Sequence, residues 1–333
     1  MRRAESGELQ CGEVFFFLFI TFSSMPFLGF AARHTLKLNR FFSSSRIYND
    51  LTPFTRRLFK LPSPPSSLSQ HNDMTNFLSY AKHISLSETS TVYVGTHYEY
   101  TVQETLRRYA LSLNRIGGRD DAGIDLVGTW HLPERERERA LRVIVQCKAL
   151  KTKVGPNIVR ELEGSLRQAP VGWRTDQTVG VLVSPREATK GVRDTLARSA
   201  YPIFWMMIER DGSLKQALWN SRAEELGIGP LGVETRYGTA ELGSVTKQIA
   251  LTWDGCDIPS MDQVEHGLAE FEEQWVASWD LESQCDKERL LDTVESVLPG
   301  DISSRMLQEP LADADRAKVI QVLREQQQQP GPN

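Results

Sequence analysis

Two short stretches, TVGVLV at 178–183 and IFWMMI at 203–208, are apolar at nearly every consecutive position. A strand with one wet face alternates polar and apolar residues, whereas a strand covered on both faces does not. The chain must therefore bury a sheet between two layers. Helical spacing supplies candidates for those layers. Val102, Leu106, Tyr109, Ala110, Leu113 and Ile116 recur at intervals of three and four, which predicts a helix over 98–116, stopped by Gly117-Gly118. Shorter helices are expected at 158–166, 187–198 and 214–226, and strands at 124–130 and 143–149. The order α-β-β-α-β-α-β-α reads as a mixed α/β sandwich around one central sheet. The three Glu-Arg repeats of HLPERERERA, between the first two strands, read as a solvated hairpin loop.

Charge divides the chain. Residues 254–333 hold 18 acidic and 6 basic residues, and their helix-forming stretches predict an acidic helical extension over 251–325, followed by a disordered tail at 326–333. Residues 61–253 carry only +3, a mildly basic domain rather than a polybasic arm. Cys11, Cys147, Cys256 and Cys285 form neither a CxxC pair nor a zinc spacing, and read as free thiols in a reducing compartment.

The first 48 residues read as a leader. Residues 14–32 are uncharged and long enough to span a membrane, but Ser23, Ser24 and Pro26 interrupt them and acids precede them. Residues 25–48 hold Arg33, Lys37, Arg40 and Arg46, no acid, and Ser43 to Ser45. That is the pattern of a mitochondrial transit peptide, with a matrix destination, no stable membrane span, and Met25 as the expected start in place of residues 1–24. Residues 49–75, which include LPSPPSSLSQHND, read as a Pro/Ser-rich linker to a domain at 76–250.

One stretch carries chemistry. Asp125 enters the strand GIDLVGTW, and Gln146 and Lys148 leave the strand VIVQCKAL with Cys147 between them. Alternation puts Gln146 and Lys148 on one face and the Cys147 side chain on the other. If the two strands pair as a hairpin, Asp125 and Gln146 converge. The Asp125 carboxylate, the Gln146 side-chain oxygen and the Cys147 backbone carbonyl are oxygen donors suited to a hard cation such as Mg²⁺. Lys148 is placed to offset charge on a phosphoryl transition state. Glu99, at the start of the preceding helix, is a candidate to complete the metal shell, and Asp121 is a fifth, weaker one. Each residue also has an ordinary structural explanation: Asp125 as a turn residue beside Gly123, Lys148 as an exposed strand end, Glu99 as a helix N-terminal carboxylate. A Gln146 buried in an apolar strand is harder to explain that way, since a buried amide needs partners.

Tyr98-Glu99, GIDLVG at 123–128 and VQCK at 145–148, followed by VRELEGSL at 159–166, TVGVLVS at 178–184 and EATKGVRDTLARSA, resemble the Mrr-like type IV restriction endonuclease domain of the PD-(D/E)xK superfamily. With the leader, the chain is similar to a fungal mitochondrial family described as required for respiratory growth. The resemblance covers about 90–240. It implies a restriction-endonuclease-like α-β-β-α-β-α core with a mixed central sheet. It also implies an Mg²⁺-dependent nuclease, Mn²⁺ substituting, with Asp125 as metal aspartate, Gln146 in the second acidic position, Lys148 as catalytic lysine and Glu99 as helix carboxylate. DNA is the implied substrate ahead of RNA, in service of mitochondrial genome maintenance, with a homodimer as the implied assembly; separately, the charge of the acidic helices points to a basic partner. Gln146 departs from the superfamily pattern, because a neutral amide binds Mg²⁺ less strongly than a carboxylate. A catalytically inactive nucleic-acid-binding or scaffold protein on the same fold is the alternative.

Overall fold

The computed structural model describes residues 51–66, 69–116, 123–133, 140–239, 245–279, 286–298 and 312–328. The leader, most of the Glu-Arg loop, Asp121 and the extreme C-terminal tail lie outside these residues. A six-stranded sheet forms the centre, in the spatial order β1 (Leu111–Arg115), β2 (Leu126–Trp130), β3 (Leu141–Cys147), β4 (Thr178–Ser184), β5 (Ile203–Ile208) and β6 (Leu214–Trp219). β1, β2 and β3 form an antiparallel meander, β3, β4 and β5 run parallel, and β6 returns antiparallel to β5. β4 is buried along its whole length, as its aliphatic run requires.

Helices cover both faces. α1 (Pro53–Leu58), α2 (Met74–His83) and α3 (Thr91–Arg107) precede the sheet in the chain. Tyr98, Val102 and Leu106 of α3 pack on one face with Val143, Val145, Val181 and Met206. α4 (Asn157–Gln168) and α5 (Lys190–Arg198) bring Val159, Leu162, Val192 and Leu196 to the other face, against Val127, Ile144, Leu182 and Trp205.

Two expected helices differ from what forms. α3 ends at Arg107, and Ala110 takes a left-handed conformation (φ +62) from which β1 departs. Leu111 and Leu113 then alternate on the sheet face, a period of two that overlaps the three-and-four spacing read as helix. The helix expected over 214–226 is instead β6 followed by the one-turn α6 (Ser221–Glu224). β5 and β6 join through Asp211-Gly212, with Gly212 at φ +80 and its N–H donating to the Glu209 carbonyl at 3.0 Å.

A second, three-stranded sheet of β7 (Leu231–Thr239), β8 (Val245–Trp253) and β9 (Cys256–Asp257) follows, and no element was expected there. α7 (Met261–Ala277), α8 (Lys287–Val297) and α9 (Asp313–Gln328) then fall in the acidic stretch. Their apolar sides close around Trp275, Trp279, Leu290, Leu291, Val294, Val319 and Leu323, and Phe54 and Leu58 of α1 complete that core. The segment read as a linker thus contributes a helix. Its basic side chains meet the acidic helices: Arg57 contacts Glu288 at 3.1 Å, Asp292 at 2.6 Å and Glu295 at 2.9 Å, and Lys60 contacts Glu295 at 2.9 Å. Glu288, Asp292 and Glu295 are thus paired within the chain itself. Among the described residues no helix is long and apolar enough to cross a membrane.

Candidate active site

The sheet places its chemistry at one edge. β3, β4 and β5 end there, β2 begins there, and α4 and α5 start just beyond, so their N-terminal dipole ends face the same edge. The segments 148–161, 185–194 and 209–211 at this edge hold eight basic against five acidic residues.

Asp125 and Gln146 converge, as the hairpin expectation required. Leu126 pairs with Val145, so the register continues to Asp125 opposite Gln146, and Asp125 N–H donates to the Val145 carbonyl at 2.9 Å. The Asp125 Oδ2 accepts the Cys147 backbone N–H at 2.6 Å, tying the carboxylate to the backbone between Gln146 and Lys148.

Gln146 is 3% exposed, and its buried Oε1 has no hydrogen-bond partner among the described residues. Leaving such an oxygen unpaired costs about 1–3 kcal/mol, so a polar or cationic partner would stabilise it. Gly123, at φ +77, lies directly against the amide: a Cβ there would sit 2.8 Å from Gln146 Nε2 and 3.2 Å from Ser165 Oγ. Gly123 therefore answers both a backbone and a space requirement, and it sets Gln146 on the α4 side of the sheet.

Lys148 continues the β3–β4 pairing, its N–H donating to the Val183 carbonyl at 2.8 Å. Its Nζ contacts Glu161 Oε2 of α4 at 3.0 Å. Glu161 was missed as a site residue; it sits on the polar side of an amphipathic helix, and its nearness to Lys148 depends on a fold that its local sequence does not encode.

Glu99 does not stand at a helix start. It lies in the middle of α3, on the other face of the sheet, where its Oε2 accepts Arg115 Nε of β1 at 2.5 Å, with both side chains largely buried. Cys147 packs on that same α3 side. Burial foremost, then the Asp125 and Glu99 carboxylates, pushes the Cys147 thiol well above its ordinary value, so it is protonated at neutral pH. Around Arg115, Tyr100 and His71 form a further network, with His71 Nδ1 2.7 Å from the Tyr100 hydroxyl. Burial lowers His71, and desolvation pushes the Tyr100 hydroxyl up to about 12.

Among the described residues no three His, Cys, Asp or Glu side chains come together as a metal cluster. The oxygen donors brought to this strand end are the Asp125 carboxylate, the Gln146 side-chain amide and the Cys147 carbonyl. They are hard oxygens, and the unpartnered Gln146 Oε1 fits a cation such as Mg²⁺.

Comparison with known proteins adds the following. Residues 90–139 and 133–237 match the family described as Required for respiratory growth protein 7. A Schizosaccharomyces pombe protein described as an uncharacterised mitochondrial protein is 38% identical over 44% of this chain, and the match spans 60% of that relative's length. The Saccharomyces cerevisiae protein named Required for respiratory growth protein 7, mitochondrial, is 26% identical over 39% of this chain and 70% of its own. A Vanderwaltozyma polyspora protein of that name is 27% identical over 50% of this chain and 86% of its own. No solved structure matches.

Proposed function

We propose that this chain is a mitochondrial protein needed for respiratory growth, and that its α/β domain is an Mg²⁺-dependent nuclease acting on DNA in maintenance of the organelle genome. The location and the physiological role rest on the matched relatives, three of which are named as mitochondrial and two of those as required for respiratory growth. The nuclease reading rests on one observation: a buried Gln146 amide oxygen, without a hydrogen-bond partner among the described residues, opposite the carboxylate of Asp125 and two residues from a lysine at a sheet edge. The mixed sheet, with α3 before the β1–β3 meander and α4 between β3 and β4, supports a restriction-endonuclease-like core.

In this mechanism Asp125 and Gln146, with the Cys147 carbonyl, would hold the cation. Asp125 remains oriented by the Cys147 N–H. When bound, Mg²⁺ supplies polarisation of a phosphate oxygen and acidification of a water. Lys148 presents its ammonium to the charge that develops on the phosphoryl oxygens. The α4 and α5 N-termini and the surplus of basic residues at this edge draw in the phosphodiester backbone. Glu99, paired with Arg115 on the α3 side of the sheet, holds β1 to α3.

A second reading, an inactive nucleic-acid-binding protein on the same fold, is favoured by the lack of a three-carboxylate cluster among the described residues. Cleavage of plasmid and single-stranded DNA and of RNA in Mg²⁺, Mn²⁺ and EDTA, beside Asp125→Ala and Lys148→Ala, separates the two. Metal-dependent cutting lost in both variants is the expected result. A folded wild-type protein that binds but cuts nothing replaces the first reading with the second.

A further inference from the structure

The Glu161 carboxylate holds Lys148, and the fold does not need it to. Its Oε2 accepts Lys148 Nζ at 3.0 Å, and its Oε1 accepts Asn157 Nδ2 from the first turn of α4 at 3.3 Å. The lysine is thus fixed at both ends, its backbone by Val183 in the sheet and its ammonium by α4. Without the second anchor, a four-carbon stem leaving a strand end sweeps a wide arc of solvent. The Lys148 and Glu161 side chains are 26% and 47% exposed, and a pair this exposed contributes little to stability. What it supplies is direction. Ser165, one turn further along α4, lies beside the Gln146 amide against Gly123 and donates its hydroxyl to the Glu161 carbonyl at 3.1 Å. The same helix face therefore backs both strand residues of the site.

We propose that Glu161 is the positioning residue for Lys148, an inference that rests on the nuclease reading. Through Glu161, α4 directs the ammonium towards the strand end where Asp125 and Gln146 would hold a cation. Each Glu161 oxygen is engaged within the protein, one by Lys148 and one by Asn157, so its assigned role runs through the lysine.

The test is a double-mutant cycle in cleavage, together with a structural readout that needs no activity. Glu161→Ala lowers kcat about tenfold to hundredfold, the scale of a misplaced catalytic group, with KM and melting temperature unchanged. Glu161→Asp, which keeps the charge on a shorter stem, recovers part of the rate. Glu161→Ala added to Lys148→Ala causes no further loss, because a residue acting through Lys148 has nothing left to act on. Additive losses, or an unchanged kcat in Glu161→Ala, overturn the inference. If the wild type cuts no substrate, the nuclease reading fails by itself. The positioning contact is then read by NMR of lysine labelled with ¹³C at the ε carbon. Inequivalent Lys148 ε-protons that merge in Glu161→Ala support it, and the same averaged signal in both proteins overturns it.

Discussion

Replacing Gly123 by alanine puts a methyl group where the site has no room for one. Gly123 sits at φ +77, and its Cβ would lie 2.8 Å from Gln146 Nε2 and 3.2 Å from Ser165 Oγ. Gly255 provides the matched control: at φ +75 it has the same backbone conformation, but nothing lies within 4 Å of its Cβ position. A left-handed conformation costs an L-residue about 1–2 kcal/mol. Forcing a methyl group into filled space adds about 1–3 kcal/mol. Gly255→Ala is therefore expected to lose about 1–2 kcal/mol and Gly123→Ala about 2–5 kcal/mol. Gln146 has little freedom to yield, since it is buried and β3 is hydrogen-bonded on both sides. Urea denaturation of both variants measures the difference, with a common slope confirming that the unfolded states are comparable. Equal losses would refute the account of how Gly123 seats Gln146. The displaced amide also predicts that Gly123→Ala loses metal-dependent cleavage while Gly255→Ala keeps it.

Further expectations concern the helical lobe and acid stability. Phe54 is 1% exposed, 6.0 Å from the Trp275 ring and beneath Lys287 Nζ at 4.7 Å, so Phe54→Ala should cost about 3–5 kcal/mol. Limited proteolysis of that variant should cut α7–α9 before the sheet. Arg57→Glu sets a fourth carboxylate among Glu288, Asp292 and Glu295. At about 0.2–1 kcal/mol for each half-exposed contact, the loss should be about 1–3 kcal/mol and shrink in high salt; denaturation at two ionic strengths tests this. Burial pushes His131 down to about 4. Above its ordinary value of 6.5 the neutral form suits both states. As pH falls from 6.5 towards 4 the unfolded chain takes up the proton first, so up to about 3 kcal/mol of stability drains away across that window and no more is lost below it. His131→Gln should flatten the stability profile between those pH values; an unchanged slope would contradict the assignment.

The sequence made the double-faced strands legible because β4 and β5 are buried on both sides and lack polar alternation. It made the Asp125–Gln146 pairing legible because side-chain alternation is fixed once two strands form a hairpin. It was misleading where two periods overlap. Leu111 and Leu113 fit a helix continuing from Leu106, and only the left-handed turn at Ala110 decides for a strand. In β6 the buried residues Leu214 and Ala217 are three apart, which looks helical. The register shift between Met207 and Ile208 produces that spacing, because the bulge gives β6 one extra residue and turns a period of two into three. Asp211-Gly212 between two apolar runs was the local hairpin signal that outranked the spacing. The β7–β8 ribbon carries only a weak alternation, Val233, Thr235, Tyr237, with polar residues on both faces. α1 was hidden by its Pro/Ser-rich surroundings, since its burial depends on helices more than 200 residues away in the chain. The same reason hid Glu161: the Lys148 contact spans two elements whose meeting is a property of the fold.

The central claim is that Gln146 Oε1 and Asp125 share a divalent cation, and Gln146→Glu tests it most directly. A carboxylate buried opposite Asp125 without a cation is costly. Thermal melting in EDTA should therefore fall well below wild type, and millimolar Mg²⁺ should restore it, with cleavage saturating at lower Mg²⁺ than in the wild type. If Mg²⁺ raises the melting temperature of the variant no more than that of the wild type, Gln146 does not face a cation and the account fails.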